Sequence, residues 1–182
     1  MTVYRCFAWD RRVGPAELGG ALCFPRALQG DGRHDNPEAY GCLYLATVPV
    51  AAVVEQLARF RGSVLVPGIF QRRGLPLALA TIELVEPIAL VDLDNPRELG
   101  RRGWKPSLVA TRQRTVTQPQ ARAIHASGAD GIRWWSTFES LWANLTLFDR
   151  AADRLRLLDT RLATLREAVV REASEFLGIA TG

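Results

Sequence analysis

The sequence predicts an α+β fold in a single domain, with a mixed or split β-sheet flanked by helices. Its 182 residues lie within the size range of one domain and can bury a sizeable core. Short apolar segments typical of strands alternate with longer segments that show helical periodicity. No repeat, linker or low-complexity stretch divides the sequence. Residues 1–182 are therefore interpreted as one domain.

The chain begins with a predicted strand and a long loop. Residues 2–8 are mostly β-branched, aromatic or small, which is typical of a strand. Residues 10–40 are rich in Gly, Pro, Asp and Asn and lack periodicity, so we expect a loop with at most a short helical turn. A loop of this length is often functional. It contains Arg26 and Arg33, which favours a functional loop over a disordered one.

A short strand and a helix follow the loop. Residues 41–46 are apolar and predict the strand, and a helix is predicted from about 48 to 61. Thr47 is the expected cap, and Pro49 suits the first helical turn. The apolar residues of the helix recur at i, i+3, i+4 and i+7. They are Val50, Val53, Val54 and Leu57.

The middle of the chain predicts two strands, at about 76–85 and 88–93, separated by Glu86-Pro87. The polar segment 94–114 is interrupted by glycine and proline and is expected to contain one short helix.

A helix is predicted next, opened by residues 117–120 and ended by Gly128 after about Ser127. Apolar strands are predicted at about 131–135 and 142–148.

The last predicted element is a helix over 160–177, capped by Asp159 or Thr160. Its expected apolar stripe is Leu162, Leu165, Val169, Ala173 and Phe176. Its outer face is expected to hold Arg161, Arg166, Glu167, Arg171, Glu172 and Glu175. The stripe fits either packing on the domain or a face for dimerisation or for a partner.

Composition excludes several classes of protein. No stretch approaches the roughly 18–20 apolar residues of a membrane span, and the N-terminus lacks a signal-peptide layout, so we expect a cytoplasmic protein. The net charge is +4, and all basic residues except Lys105 are arginine. The arginines are scattered, whereas a nucleic-acid-binding face needs them clustered. Direct nucleic-acid binding is therefore not expected.

The cysteines and histidines do not predict a metal site. Cys6, Cys23 and Cys42 show no CxxC spacing, and the only histidines are His34 and His125. Free, buried thiols are the expected state of the cysteines.

Four polar or aromatic residues near the N-terminus predict chemistry. Arg5 lies on the first strand, Arg33 in a Gly-flanked turn, Tyr44 on the second strand and Glu55 on the helix. Arginine binds pyrophosphate in bidentate fashion, an aromatic ring stacks on a base or pyridine ring, and a carboxylate stabilises an oxocarbenium ion. The set would suit an anionic dinucleotide whose glycosidic bond is broken. Taken singly, each residue has a structural alternative as a surface charge or a core aromatic.

These residues, in this order, resemble the RES domain, a family named for its arginine, glutamate and serine. The matching serine is Ser136, at the end of a Gly-Ala-Asp-Gly-Ile-Arg-Trp-Trp-Ser passage over 128–136. Residues 144–149 resemble the family's closing strand. The resemblance extends over about residues 4–149.

The resemblance implies a fold similar to ADP-ribosyltransferases, with NAD as substrate and no further cofactor. Arg5 and Arg33 would then contact the NAD phosphates or ribose, and Tyr44 would lie beside the nicotinamide end. Glu55 would be the catalytic acid, and Ser136 would bind the nicotinamide ribose or position Glu55. Many members are toxins held inactive by a helix-turn-helix antitoxin of the Xre type, so such a partner is expected.

Two segments depart from the family pattern. His34-Asp35 precedes Asn36, where the family usually has an aromatic, and residues 136–139 replace a more open Gly- or Pro-containing loop. The acceptor stays open between water, phosphate and a protein side chain. An inactive NAD-binding or interaction module on the same scaffold is the alternative function, and an RNA-directed toxin ranks third.

Overall fold

A computed structural model describes residues 1–181 of the protein. The strands are β1 Thr2–Ala8, β2 Cys42–Ala46, β3 Val64–Leu65, β4 Gln71–Arg72, β5 Leu75–Leu84, β6 Leu90–Asp92, β7 Gly131–Trp135, β8 Ala143–Phe148, β9 Leu155–Leu162 and β10 Ala180–Thr181. The α-helices are α1 Pro49–Leu57, α2 Pro96–Arg102, α3 Pro106–Ala110, α4 Arg114–Ala126 and α5 Ala168–Leu177. Short 3₁₀ turns lie at Arg26–Leu28, Ala58–Phe60, Pro67–Phe70 and Asp149–Arg154.

The chain divides into two compact units, which are described separately. Unit 1 contains residues 1–23, 46–84 and those from 156 onward, and unit 2 contains residues 24–45 and 85–155. The prediction of an α+β fold with a mixed sheet is confirmed. The single-domain interpretation stays a prediction.

Unit 1 contains an antiparallel sheet covered by two helices and, separately, a short parallel pair of β3 and β10. β5 lies between β1 and β4, β9 also pairs with β5, and Arg5 of β1 lies opposite Ala80 of β5. α1 packs against both β1 and α5. The predicted stripe of α1 is confirmed, since Val50, Val53, Val54 and Leu57 are all buried. The helix starts at Pro49 as expected, but its N-cap is Val48 and not Thr47.

The C-terminal prediction was wrong in its boundaries and in its register. Residues 160–162 belong to strand β9, and α5 starts at Ala168 after a turn, with Glu167 as its N-cap. Its buried side is formed by Val170, Ala173, Ser174 and Leu177. Of the predicted stripe only Ala173 is fully buried, whereas Leu165 and Phe176 are more than one-third exposed. The buried side of α5 packs on α1, so this side belongs to the core of unit 1.

Unit 2 contains a mixed sheet in the order β2-β8-β7-β6. β7 pairs with β8 antiparallel and with β6 parallel. Its core includes buried side chains from the loop, from α2–α4 and from the strands. They include Tyr40, Cys42, Leu93, Leu99, Ile124, Ile132, Trp134 and Phe148.

Two helix predictions in unit 2 need correction. The segment 94–114 holds two short helices, α2 and α3, instead of one. α4 begins at Arg114, three residues before the predicted start, so Pro119 lies inside the helix. Thr117 does not cap it: its hydroxyl is buried and donates to the carbonyl of Arg33, at 2.5 Å.

Within residues 1–181, no helix is both long enough and apolar enough to cross a membrane. The three cysteines are free and buried, as predicted.

Candidate functional site

Arg5 of unit 1 is bound to a neighbouring loop. Its Nη1 donates to the carbonyls of Gly20 and Ala21, at 3.0 and 2.6 Å, and its guanidinium carbon lies 5.0 Å from the ring centroid of Phe7. Burial lowers the pKa of Arg5 to about 10, although the nearby thiols of Cys23 and Cys6 act in the opposite direction. The residue stays charged at neutral pH and ties the loop of residues 10–23 to β1. This structural contact was not visible in the sequence.

Glu55 of unit 1 lies on the exposed side of α1, away from the buried stripe. Its position off the core was predicted. The helix also buries Ala51 and Ala52, which are 1% and 6% exposed. A substitution that keeps the shape of Glu55 should therefore leave the packing of α1 intact.

Arg33 of unit 2 is buried, with 9% of its surface exposed. Its Nη1 donates to the carbonyls of Val109 and Thr111, at 2.8 and 2.6 Å. Its guanidinium carbon lies 4.8 Å from the ring centroid of Trp134, within the range of a cation–π contact. The surface-turn alternative for this arginine is therefore wrong, because the side chain is part of the interior of unit 2.

The turn that carries Arg33 is organised by a buried carboxylate. Asp35 accepts hydrogen bonds from the backbone N–H groups of Gly30 and Gly32, at 2.9 and 2.7 Å. Its other oxygen accepts from the hydroxyl of Tyr44, at 2.6 Å. A Cβ atom at Gly32 would collide with this carboxylate. His34-Asp35 is the segment that departs from the family pattern, and the carboxylate of Asp35 in that segment closes the turn.

Tyr44 joins this turn to β2. Its hydroxyl accepts from the backbone N–H of His34, at 2.9 Å, and donates to Asp35. Burial, together with Cys42 and Asp35, raises the pKa of Tyr44 well above its usual value. The phenol is therefore neutral and acts as a positioning group for the turn, while its ring stays partly exposed.

His34 is held inside unit 2 as a neutral ring. Its Nδ1 lies 2.8 Å from the hydroxyl of Thr146, which also accepts from the indole Nε1 of Trp134 at 3.1 Å. Burial, assisted by the charges of Arg33 and Arg114, lowers the pKa of His34 to about 3. Because Trp134 contacts both residues, His34 and Arg33 share one aromatic support.

The lowered pKa of His34 predicts an acid-sensitive fold. Below pH 6.5, the ordinary pKa of histidine, His34 is protonated in the unfolded chain but stays neutral in the folded chain. The free energy of unfolding therefore decreases as the pH falls from about 6.5 towards 3. Within this pH range, each unit by which the pH falls lowers the free energy of unfolding by about 1.4 kcal/mol at most. His34→Gln, which cannot titrate, should give a shallower decline in urea unfolding measured at pH 7, 6, 5 and 4. The comparison is His125→Gln: burial and then the charge of Arg150 also lower the pKa of His125, but its ring is more exposed, so this variant should change the decline less than His34→Gln. Parallel curves for wild type and His34→Gln would exclude this role.

Ser136 is buried at the end of β7 and shapes the loop that follows. Its Oγ accepts from the backbone N–H of Phe138, at 3.2 Å, and its own N–H donates to the carbonyl of Trp142. Trp134 lies two residues earlier, so the two side chains project to the same face of the strand. Ser136 therefore follows by two residues the tryptophan whose ring Arg33 contacts.

The predicted residues fall into two groups. Arg33, Tyr44 and Ser136 belong to unit 2, and Arg5 and Glu55 belong to unit 1. In unit 2 the structure connects Arg33 with Tyr44 through His34 and Asp35. Sequence reasoning did not identify the supporting residues of this cluster. They are His34, Asp35, Thr117, Trp134 and Thr146.

Comparison with known families now identifies the chain. The RES domain matches residues 2–166, which include all five predicted positions and extend beyond the range 4–149 expected from the sequence. The chain belongs to the RES domain family. No curated protein gives a significant match.

A solved structure supports the fold. The RES chain is similar to a chain in the crystal structure of the M. tuberculosis MbcT–MbcA toxin–antitoxin complex, with a TM-score of 0.67 and 19% identity. The match covers 97% of this chain and 88% of that chain. In the described part of the RES chain, no three His, Cys, Asp or Glu residues are grouped as metal ligands.

Proposed function

We propose that this RES-domain protein consumes NAD by breaking the bond between nicotinamide and ribose. Nicotinamide leaves with the electron pair of the C–N bond, and the ribose carbon passes through an oxocarbenium-like state. An acceptor oxygen then forms the new bond to this carbon and loses its proton. Water, phosphate and a protein hydroxyl can each supply this acceptor oxygen.

The proposal rests on membership of the RES family, whose domain matches residues 2–166, and on the presence in that range of the arginines, glutamate and serine that the resemblance implies. Glu55 is assigned the stabilisation of positive charge on the ribose. Arg5 and Arg33 are assigned the phosphates, Tyr44 the nicotinamide end and Ser136 the nicotinamide ribose. Binding energy from the phosphates then orients the bond that breaks.

The contacts of Arg33 support a preorganised cation. The side chain is held by two carbonyls and by Trp134, so little side-chain entropy remains to be lost on binding. The neighbouring His34 is neutral, so the positive charge of this turn resides on Arg33. An anionic group approaching Arg33 therefore meets a cation whose position is already set.

The same contacts favour one alternative function. An arginine that already donates to the carbonyls of Val109 and Thr111 can serve a structural purpose alone. The protein would then be an NAD-binding or interaction module without turnover.

Purified protein incubated with NAD is expected to release nicotinamide in stoichiometric amounts with loss of NAD, as measured by chromatography. The second product identifies the acceptor: free ADP-ribose for water, ADP-ribose phosphate for phosphate, and label retained on protein for a side chain. In cells, expression of the chain alone is expected to lower NAD and arrest growth. Saturable NAD binding without nicotinamide release would establish the module instead.

We further propose that the protein is the toxin of a toxin–antitoxin pair, controlled by a helix-turn-helix protein of the Xre type. An enzyme that destroys NAD needs such control in its own cytoplasm. Structural similarity to a chain of a toxin–antitoxin complex supports this proposal. Co-expression with the product of an adjacent helix-turn-helix reading frame is expected to restore both NAD and growth.

A further inference from the structure

The positive charge of this chain is concentrated in one stretch of unit 1. Residues 56–82 contain four arginines and no acidic residue, which equals the formal net charge of +4 for all 182 residues. The arginines are Arg59, Arg61, Arg72 and Arg73. All four side chains are exposed. The basic and acidic residues of the other segments balance, so the net positive charge of the chain comes from this stretch.

Three of these arginines come together in the fold. Partial desolvation of its guanidinium, followed by the charges of Arg59 and Arg73, lowers the pKa of Arg72, although the residue as a whole is exposed. Arg72 donates to the neutral amide of Gln56, at 3.1 Å, and Arg59 lies over the ring of Phe60. Arginines elsewhere in the described residues form ion pairs with carboxylates. These are Arg12, Arg101, Arg102, Arg133, Arg154, Arg156 and Arg161.

Arg73 occupies a turn position that disfavours arginine. β4 and β5 are joined by the two residues Arg73 and Gly74, whose φ angles are 53° and 76°. Such hairpin turns strongly prefer Asn-Gly or Gly-Gly, because both central residues need positive φ. Arg73 is the non-glycine residue with positive φ in the described chain. Side chains held at such positions against their preference commonly serve a function.

Aliphatic surface adjoins these charges. Val64 and Val66 are 53% and 50% exposed. The turn that leads into β4 also borders a concave site of about 470 Å³. This site is lined by Pro67, Phe70, Ala163, Thr164, Leu165 and Arg166. The surface therefore combines a recess for apolar side chains with cations around it.

We propose that residues 59–73, with Leu165 and Arg166, form a docking surface for an acidic, aliphatic segment of a protein partner. Carboxylates would match the arginines, and aliphatic side chains would fill the recess and cover the exposed valines. A nucleic acid would gain little from the aliphatic part, since it is bound through cations and stacking aromatics. A lipid surface favours a protruding apolar face, whereas the apolar part here includes a recess. The proposal is independent of NAD cleavage.

The test is an unbiased selection followed by quantitative binding. A random 15-residue peptide library displayed on yeast is sorted against the immobilised full chain, and enriched peptides are synthesised. We expect peptides rich in Asp or Glu and in Leu, Ile or Val. Their affinity should fall about ten-fold or more for Arg72→Glu/Arg73→Glu and weaken with added salt. The control Arg97→Glu/Arg122→Glu, with the same change in net charge on exposed residues of unit 2, should bind within about two-fold of wild type.

Two further variants separate docking from folding. Arg73→Asn suits the turn better, so it should keep or raise the melting temperature while lowering peptide affinity. Val66→Ser tests the aliphatic part and should also lower affinity. NAD turnover, measured on the same preparations, is expected to stay unchanged in all these variants. A failure of the proposed enzymatic function would therefore show in the wild type and not in the binding data.

Several outcomes would overturn the proposal. They are no enrichment of peptides, enrichment without acidic and aliphatic residues, and equal peptide binding by wild type and Arg72→Glu/Arg73→Glu. Tighter binding of a 20-nucleotide RNA, or of vesicles with 30% anionic lipid, that is lost in the same variant would assign the surface to those ligands instead.

Discussion

Glu55→Gln is expected to lower NAD turnover by about 10²- to 10³-fold, as for other single groups that stabilise transition-state charge. The amide keeps the shape of the carboxylate and removes its charge. Because Glu55 lies on the exposed side of α1, away from the buried stripe, the melting temperature should change little. The measurements are nicotinamide release at saturating NAD and thermal unfolding of the same preparation.

The matched control is Glu172→Gln, an exposed glutamate on helix α5 of the same unit. It removes one equal charge and should retain full turnover. If Glu55→Gln keeps near-normal turnover while both variants fold normally, Glu55 has no part in the chemistry.

The sequence predicted those elements whose signals are local. Strands β1, β7 and β8 were predicted within one residue, because alternating or β-branched residues are bounded there by glycine, proline or polar turns. The burial of α1 followed from its periodicity alone. Local patterns of this kind do not depend on distant partners.

The C-terminal error shows where periodicity misleads. Leu162, Leu165 and Val169 are spaced as on a helix, so the predicted helix was anchored on them. Pairing of β9 with β5 holds residues 155–162 extended, and this contact is between segments about 80 residues apart. The true helix then starts later, and its buried face is shifted by one residue, from Val169 to Val170.

The supporting residues of the candidate site escaped prediction for a related reason. Thr146 is 112 residues from His34, and Thr117 is 84 residues from Arg33, so neither pairing leaves a local trace. The contacts of Asp35 did have a local sequence signal, because Gly30 and Gly32 precede it closely in a turn. A short acidic side chain in that setting commonly accepts from backbone N–H groups, which is the contact it makes.

Arg33→Lys is expected to weaken NAD binding nearly as much as Arg33→Ala. A guanidinium can donate to the carbonyls of Val109 and Thr111, lie flat against Trp134 and still present N–H groups in a fixed plane. An ammonium is a point charge with three donors and no planar face. A lysine that satisfied both carbonyls would turn away from an anionic ligand, and one that reached the ligand would leave buried carbonyls unpaired, at about 1–3 kcal/mol each.

The affinity for NAD and the free energy of unfolding together distinguish a ligand-binding role of Arg33 from a structural one. Isothermal titration with NAD should show a loss of about ten-fold or more for both variants, and urea unfolding should show the larger destabilisation in Arg33→Ala. The matched control is Arg114→Lys, because Arg114 also donates to main-chain carbonyls, those of Asp31 and Arg112, but is exposed. It should bind NAD normally. Wild-type affinity in Arg33→Lys would show that any cation suffices at this position. Unchanged affinity in Arg33→Ala as well, with reduced stability, would assign Arg33 to the fold of unit 2 alone, because a phosphate-binding arginine cannot be removed without a loss of affinity.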